Sequence, residues 1–358
     1  MPKSPPAAVL NAVNAFRGGL QRLRQATVPA SVAVMELGFG GWLTQAMVTA
    51  VQLGIPDALK AGPLTAEDVA RTAGSDPAAT YRLMRALASQ SVFRLRQDGR
   101  FALTRTGRAL VSDGPGSVAS MIAFIGHPRH REHWSHLQHS VRTGETAVAK
   151  LRGMPFFEYL DTDPELAQVF NDAMTGASTV AIESAVPAYD FSTSKLIVDV
   201  GGGHGALLAA VLRQAPQARG VLFDLPQVVA GAGTAVADVA SRCDIQGGSF
   251  FESIPPDGDT YLLKTVIHDW DDEKSLAILR NIRSVIAPHG KVLLIEMVLP
   301  DGAPAHPGFL LDLEMLVAGS GQERTEREYA ELLAKAGFEL RRVVPTTGPM
   351  SIVEARAV

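Results

Sequence analysis

The chain has 358 residues, of which 46% are hydrophobic and 20% are charged, so it is long enough for two folded domains and too apolar to be disordered. Its formal net charge of -4 argues against bulk affinity for nucleic acid. The single cysteine, Cys243, excludes an internal disulfide and a multi-cysteine metal site, and it fits a reducing cytoplasm, where we expect the protein to be located.

The first 35 residues carry four basic side chains, Lys3 among them, and no acidic one. No apolar run is long and uninterrupted enough to span a bilayer, since the most apolar one, from Val28 to Leu43, contains Glu36. We expect no signal peptide either, because no apolar block with a small-residue cleavage site follows the basic residues. The segment is predicted to be a frayed arm that packs on a partner subunit, with contact to a membrane surface as the alternative.

Residues 1–115 are predicted to form a mostly helical N-terminal domain. The pattern has four parts: an apolar stretch at helical spacing over 47–59, a short helix capped by Thr65, a helix opened by Asp76-Pro77, and a hairpin around Asp98-Gly99. Helix, turn, helix and hairpin in this order are typical of a winged helix.

Residues 116–190 are predicted to be a helical region that lines a substrate pocket. Aromatic and methionine residues at helical spacing are usually core, but these precede a cofactor domain, so we expect part of them to contact a substrate. The substrate-binding candidates, two of them from a later helix, are Phe124, Phe157, Phe170, Met174, Met315 and Leu316.

A row of histidines recurs every three residues from His127 through His130, His133 and His136 to His139. On a regular helix this spacing drifts around the surface, so all five cannot share one face. A pair of them is able to bind zinc or nickel, and contact with the substrate is another interpretation. We expect no functional metal, since the predicted chemistry needs none.

From Lys195 onward short apolar strands alternate with helices over residues 191–358, which predicts a parallel sheet with helices on both faces. The first strand, Leu196 to Val200, runs into Asp199-Val-Gly201-Gly-Gly203-His-Gly205. Such glycines let the backbone turn sharply and approach a ligand closely. A dinucleotide site stays open as an alternative, but the acid two residues ahead of the glycines suits a ligand with an amino group.

Four further acidic or basic side chains follow later strands of this sheet or the start of a predicted helix. Asp224 ends the next strand, where an acid commonly binds both ribose hydroxyls. His268 follows a strand to the carboxyl edge, and an imidazole with its ordinary pKa near 6.5 accepts a hydroxyl proton at neutral pH. Glu296 ends a strand and Glu323 begins a predicted helix; a carboxylate bonded to the imidazole would fix its tautomer.

The chain from about Leu43 onward resembles the plant caffeic-acid-type O-methyltransferases and their bacterial relatives in secondary metabolism. The resemblance rests on the strings at 199–205, 223–226, 263–272, 296–300 and 323–325. It implies a winged-helix dimerisation domain, a homodimer, and a Rossmann-like class I methyltransferase domain that binds S-adenosylmethionine. It further implies that His268 is the general base between Glu296 and Glu323. The cofactor-binding positions that it implies are Asp199, Gly201, Gly203, Asp224, Leu225, Ser249, Phe250, Lys264 and Trp270, with Trp270 beside the adenine.

One position departs from the family pattern. Ser249 stands where the family usually has an acid that accepts a hydrogen bond from the adenine amino group. A hydroxyl also accepts such a bond, but without the charge, so we expect weaker cofactor binding.

The combined prediction is an enzyme that methylates a hydroxyl of a small, aromatic metabolite and binds neither nucleic acid nor membrane. Two alternatives stay open: the same fold catalysing decarboxylation or hydroxylation, and a DNA-binding winged-helix regulator. The regulator is suggested by a basic cluster with the single acid Asp98. The cluster consists of Arg82, Arg85, Arg94, Arg96, Arg100, Arg105 and Arg108.

Overall fold

The computed structural model describes residues 7–302 and 305–358, so Lys3 lies outside the described residues. Internal contacts divide the chain into two compact units. The helical unit comprises residues 21–135 and 157–180. The sheet unit comprises residues 136–156 and 181–358, together with residues 7–20. The domain boundaries at residues 115 and 190 stay predictions.

Residues 7–185 are mostly helical. In chain order their elements are α1 (Ala7–Ala26), α2 (Ala30–Gly38), α3 (Gly40–Gln52), α4 (Ile55–Ala58), α5 (Ala66–Ala73), α6 (Pro77–Ser89), β1 (Phe93–Leu95), β2 (Phe101–Leu103), α7 (Arg105–Arg108), α8 (Ala119–Ile125), α9 (Pro128–Trp134), α10 (Leu137–Thr143), α11 (Ala147–Arg152), α12 (Phe156–Thr162) and α13 (Pro164–Ala185).

The helix caps and the hairpin of the N-terminal region are confirmed. Thr65 accepts from the amide of Asp68 at the start of α5, and the side chain of Asp76 caps α6 in the same way. β1 and β2 pair antiparallel. The single helix predicted over 47–59 is wrong, because Gly54 adopts a left-handed φ of +65° and separates α3 from α4.

The predicted arm is not frayed over its described part, since residues 7–26 form the helix α1. Its packing on a partner subunit stays a prediction. In the part of the chain that the structure describes, no single helix has the length and apolar character to cross a bilayer. The bent pair Ala12–Ala26 and Ala30–Gln52 meets those two criteria together.

The sheet unit is built on seven strands in the order β5-β4-β3-β6-β7-β9-β8. The strands are β3 (Leu196–Val200), β4 (Arg219–Asp224), β5 (Cys243–Gly247), β6 (Thr260–Lys264), β7 (Lys291–Glu296), β8 (Phe338–Pro345) and β9 (Ser351–Ala357). Strands β3 to β7 run parallel, whereas β9 pairs antiparallel with β7 and β8. The intervening and flanking helices are α14 (Ala206–Gln214), α15 (Pro226–Val229), α16 (Asp272–Val285), α17 (Gly308–Ala318) and α18 (Glu326–Lys335).

Alternate residues of each strand point to opposite faces of the sheet, and each face is covered. On one face Ile197 and Leu222 pack with α14, and on the other Val198 and Tyr261 pack with α16 and α18. This confirms the predicted α/β layering with helices on both faces. The strand predicted from Leu196 to Val200 is present with the same ends.

The helical unit has its own core. Buried apolar side chains of α3, α5, α6 and the hairpin, such as Val69, Met84, Leu87 and Phe101, form one cluster. The hairpin therefore packs its inner face on the helices that precede it.

Candidate active site

Four parallel strands, β3, β4, β6 and β7, deliver polar side chains to one edge of the sheet. Asp199 lies at the end of β3, Asp224 at the end of β4, Lys264 at the end of β6 and Glu296 at the end of β7. The carboxyl ends of parallel strands meet at the same edge, where open α/β sheets bind ligands. The predicted catalytic and cofactor residues therefore all lie in the sheet unit.

The loop after β3 has the backbone geometry that its glycines predict. Gly201, Gly203 and Gly205 have left-handed φ values of +68°, +60° and +86°. A Cβ at Gly202 would lie only 2.8 Å from a carboxylate oxygen of Asp199, so that position also excludes a side chain. Apart from its chain neighbours, no atom of the described residues lies within 4 Å of a Cβ built at Gly203, which leaves room for a ligand beside the loop.

Asp199 is a buried acid directly beneath this loop. It is 1% exposed, and its Oδ2 has no hydrogen-bond partner among the residues that the structure describes. Burial raises the pKa of Asp199 to about 7, although the Lys264 ammonium acts in the opposite direction. A buried carboxylate oxygen without a partner suits a cationic group such as the ammonium of an amino-acid moiety.

Asp224 is held in place by two backbone amides. Its Oδ2 accepts from the Gly203 amide at 2.8 Å, and its Oδ1 accepts from the Leu225 amide at 2.7 Å. The bond to Gly203 fixes the glycine loop and the acid relative to each other. Each oxygen keeps a lone pair for a further donor, as the binding of a ribose diol requires.

Three aromatic rings lie together beside the ends of β5 and β6. Trp270 packs edge to face against Phe250 at 6.2 Å and against Phe251 at 5.0 Å between ring centroids. The ammonium of Lys274 lies 5.2 Å from the centroid of the Trp270 ring. The Ser249 hydroxyl accepts from the Phe251 amide at 3.3 Å, so it stabilises the turn that carries both phenylalanines.

Lys264 is a buried lysine at this edge. Its ammonium donates to the Thr265 hydroxyl at 3.2 Å. Burial lowers the pKa of Lys264, while the carboxylates of Asp199, Glu296 and Asp269 act against that effect.

His268 and Glu323 form a buried pair. The Nδ1 of His268 lies 2.7 Å from Oε1 of Glu323, and a carboxylate can only accept, so Nδ1 carries the proton. The Nε2 atom is thereby left as the nitrogen that gains or loses a proton. The predicted contact between the imidazole and a carboxylate is therefore present, with Glu323 as the partner.

Glu296 binds backbone amides and not the imidazole, although it was expected to lie beside His268 as a second partner. Its Oε1 accepts from the amides of Val266 and Ile267 at 3.1 and 3.0 Å, and no hydrogen bond joins it to His268. Burial raises the pKa of Glu296 to about 7. Glu296 therefore anchors the backbone just before the histidine and acts on the imidazole through its charge.

The ordinary imidazole pKa expected from the sequence is wrong for this environment. Burial opposes protonation of His268, but the carboxylates of Asp269, Glu296 and Glu323 outweigh it and raise the pKa of His268 to about 10. At neutral pH the imidazolium is therefore the prevailing form in the ligand-free site.

Sequence reasoning missed Asp269 as a member of the site. Its Oδ1 lies 3.4 Å from Nε2 of His268, on the side of the ring opposite Glu323. Its position next to His268 in the chain was the available signal. The helix expected to begin at Glu323 begins instead at Glu326, with Thr325 as its N-cap, so Glu323 lies in the segment without regular secondary structure before α18.

The substrate candidates lie in both units. In the helical unit Phe124 and Phe170 pack edge to face with ring centroids 5.4 Å apart, and Phe157 lies 6.3 Å from Phe170. Met174 is half-buried on α13. Met315 and Leu316 are half-buried on α17 in the sheet unit. Their substrate role stays a prediction.

The histidine row does not follow one helix. His127 is the N-cap of α9 and His136 the N-cap of α10, so the row is divided between two helices that are separated at residues 135–136. His130 packs on Phe124 with ring centroids 4.4 Å apart, and His133 packs on Tyr159. Among the described residues no group of three or more His, Cys, Asp or Glu side chains is placed to hold a metal ion.

Two protein-family models match the chain. The model of the O-methyltransferase domain matches residues 134–339. The model of the O-methyltransferase dimerisation domain matches residues 35–113. The first match alone covers more than half of the chain and contains the whole edge of the sheet described above.

Curated relatives and solved structures agree with these matches. A phenazine O-methyltransferase of Lysobacter antibioticus is 42% identical over 94% of this chain and 98% of the relative. A mitomycin biosynthesis 6-O-methyltransferase of Streptomyces lavendulae is 38% identical over 92% and 96%. The solved structure of a methyltransferase of calicheamicin biosynthesis, in its SAH-bound form, is similar with a TM-score of 0.84, at 35% identity over 92% of this chain and 98% of that one.

Proposed function

This chain belongs to the S-adenosylmethionine-dependent O-methyltransferases of secondary metabolism, and from that premise we propose that it methylates a hydroxyl on an aromatic ring with His268 as general base. The observation that carries the proposal is the buried pair of His268 and Glu323, 2.7 Å apart, at the edge that also holds the glycine loop. An aromatic acceptor is supported by the relatives, whose names specify phenazine and mitomycin.

The residues at the sheet edge fit S-adenosylmethionine. Asp199 offers an unpartnered buried oxygen to the amino group, Asp224 offers two oxygens to the ribose, and Trp270 offers a ring to the adenine. When bound, S-adenosylmethionine supplies a methyl group on a positively charged sulfur, and its charge opposes protonation of the imidazole. Ser249 takes the place of an acid at the adenine, without its charge.

His268 removes the proton from the acceptor hydroxyl through Nε2. A phenol has a pKa near 10, so it is poorly ionised at neutral pH, and a base positioned beside it contributes about 10² to 10⁴ in rate. Glu323 keeps the proton of the neutral ring on Nδ1 and stabilises the imidazolium that forms when Nε2 accepts. Asp269, 3.4 Å from Nε2, adds to that stabilisation.

We propose a substrate-binding role for apolar side chains of each unit, considered separately. The candidates are Phe124, Phe157, Phe170 and Met174 in the helical unit, and Met315 and Leu316 on α17 in the sheet unit. Apolar side chains around the hydroxyl exclude water and raise the benefit of correct alignment.

We also propose that the chain forms a homodimer through the helical unit. The support is a set of exposed apolar side chains within the matched dimerisation domain: Met35 at 59%, Leu37 at 62% and Trp42 at 73% exposure. Large exposed apolar patches mark interfaces in soluble domains. Analytical ultracentrifugation is expected to give twice the chain mass, and a Trp42→Glu variant is expected to shift toward the monomer; a monomeric wild type would refute this.

The test of the function is a screen of hydroxylated aromatics with methyl-labelled S-adenosylmethionine. We expect one acceptor or more to gain a single methyl group on oxygen, identified by mass spectrometry and by the chemical shift of the methyl group. Loss of carbon dioxide or gain of oxygen in the product would favour the alternative chemistries on the same fold. Absence of any modified product across phenols, naphthols and hydroxyphenazines would contradict the proposal.

A further inference from the structure

The segment that carries His268 follows the end of β6, and the strand pairing of β6 in the described part of the chain ends before it. Thr265 has a left-handed φ of +52°, and a single 3-10 turn over Ile267–Asp269 follows. On its amide side, Glu296 accepts from two successive backbone N–H groups of this segment. A base on so short a turn needs further side-chain contacts to keep its position.

Arg324 provides such contacts on the carbonyl side. Its Nη1 donates to the carbonyl oxygen of Ile267 at 3.1 Å, and its Nη2 donates to that of Trp270 at 3.1 Å. The same guanidinium binds Oδ1 of Asp272 through Nη2 at 2.8 Å and Nε at 3.2 Å. Arg324 is only 1% exposed, so its charge is buried between the two carbonyls at the start and the end of the turn.

Arg324 also belongs to the segment that supplies the imidazole partner, because Glu323 precedes it in the chain. The amide of Leu299 donates to the Arg324 carbonyl at 2.9 Å, which ties this segment to the chain that follows β7. At Gly321 a Cβ would overlap the carbonyl oxygen of His268, so the two segments are in close backbone contact. The Arg324 side chain therefore binds the turn that carries His268, while its own backbone belongs to the segment that carries Glu323.

We propose that Arg324 is a positioning residue that sets the distance between His268 and Glu323, an inference that rests on the proposed role of His268 as base. The planar guanidinium reaches two carbonyls of one turn and a carboxylate at the same time. A lysine ammonium at this position is a point charge, so it cannot reproduce the fork. Ser275 donates to the same two carbonyls at 3.3 and 3.2 Å, so the turn keeps a partner when Arg324 is replaced.

The test is Arg324→Lys, measured by the pH dependence of kcat and by NMR titration of labelled histidine in the ligand-free protein. Three carboxylates, those of Asp269, Glu296 and Glu323, favour the protonated imidazole in this test. The ammonium of Lys264 interacts with two of them, Asp269 and Glu296. We expect kcat to fall by about 10- to 100-fold because the base is displaced from its alignment. We also expect the pKa of His268 to fall by about 1 pH unit, since Glu323 no longer lies at hydrogen-bond distance.

The matched control is Arg213→Lys, because Arg213 also binds a carboxylate through two nitrogens, that of Asp238, but lies exposed and outside the site. We expect kcat and the pH profile of that variant to equal those of the wild type. A lower kcat in Arg324→Lys with an unmoved pKa of His268 would reduce Arg324 to a structural role and overturn the proposal, as would an unchanged kcat.

If Arg324→Lys fails to fold, Asp272→Asn is tested in its place. This change removes the charge of the half-exposed carboxylate that binds the Arg324 guanidinium, and so weakens the hold on that side chain. A fall in kcat of about 3- to 10-fold with a lower pKa of His268 supports the proposal, and no change in either overturns it. The failure of this inference is distinct from that of the proposed function. In the first case His268→Ala is inactive while the Arg324 and Asp272 variants behave as wild type; in the second His268→Ala retains full activity.

Discussion

Replacing Glu323 by Gln tests the chemistry of the site at its shortest contact. The variant keeps the size of the side chain and removes the charge that lies 2.7 Å from Nδ1 of His268. Glu323 is one of three carboxylates that together raise the pKa of His268 from 6.5 to about 10. Losing one of the three is expected to lower this pKa by about 1 to 2 pH units.

The expected loss of rate is larger than the pKa change alone implies. A Gln amide is able to present its NH₂ group to Nδ1, which leaves the ring proton on Nε2, the nitrogen that must accept the hydroxyl proton. We therefore expect kcat to fall by about 10² to 10⁴, the full contribution of a general base. The affinity for S-adenosylmethionine is expected to stay unchanged, since Glu323 is not among the predicted cofactor-binding residues.

The assay is the initial rate of label transfer from methyl-labelled S-adenosylmethionine between pH 6 and pH 10. The base must be neutral to act, so kcat rises with pH as His268 loses its proton. In Glu323→Gln this rise is expected at lower pH, because fewer carboxylates stabilise the imidazolium and the pKa of His268 is lower. Glu326→Gln, the same change at an exposed site on the first turn of α18, serves as the control. A kcat within threefold of wild type and an unmoved pH profile in Glu323→Gln would refute the reasoning.

Two further predictions concern the cofactor. Because the pKa of Asp199 is raised to about 7, its carboxylate loses its charge as the pH falls, so calorimetry is expected to show the Kd for S-adenosylmethionine weakening by about 10-fold from pH 8 to pH 6. Asp199→Asn should bind S-adenosylmethionine weakly, with no such pH dependence. The control Asp244→Asn, at an exposed ion pair, should bind it as the wild type does. A wild-type Kd that does not change with pH contradicts this prediction. Ser249→Asp is expected to tighten the Kd by about 3- to 10-fold through a charge-assisted hydrogen bond to the adenine amino group, whereas Ser253→Asp in the same turn should not. No tightening in Ser249→Asp would count against the adenine contact.

The strands and the glycine loop were predictable because each depends on local chemistry. A short apolar run followed by Asp199 and three glycines specifies a buried strand and a left-handed turn, whatever the distant surroundings. The caps at Thr65 and Asp76 are local in the same sense, since each side chain binds an amide three residues on. The break at Gly54 was missed because an isolated glycine is also tolerated within a helix.

The contacts between the site residues could not be predicted from the sequence, because they join residues that are far apart in it. His268 and Glu323 are separated by 55 residues, and nothing in either string specifies which of two acids bonds to the ring. Glu296 was expected beside the imidazole, yet it binds backbone amides, because the turn after β6 leaves those amides without strand partners. The pKa of His268 depends on the same packing, which places three carboxylates around one buried ring.

The role of His268 is tested most directly by a single turnover of His268→Ala loaded with labelled S-adenosylmethionine and mixed with an excess of an accepted phenol at neutral pH. We expect the Kd for the cofactor to match that of the wild type and the rate of methyl transfer to fall by about 10² to 10⁴. A rate equal to that of the wild type under these conditions would show that the imidazole takes no part in removing the proton.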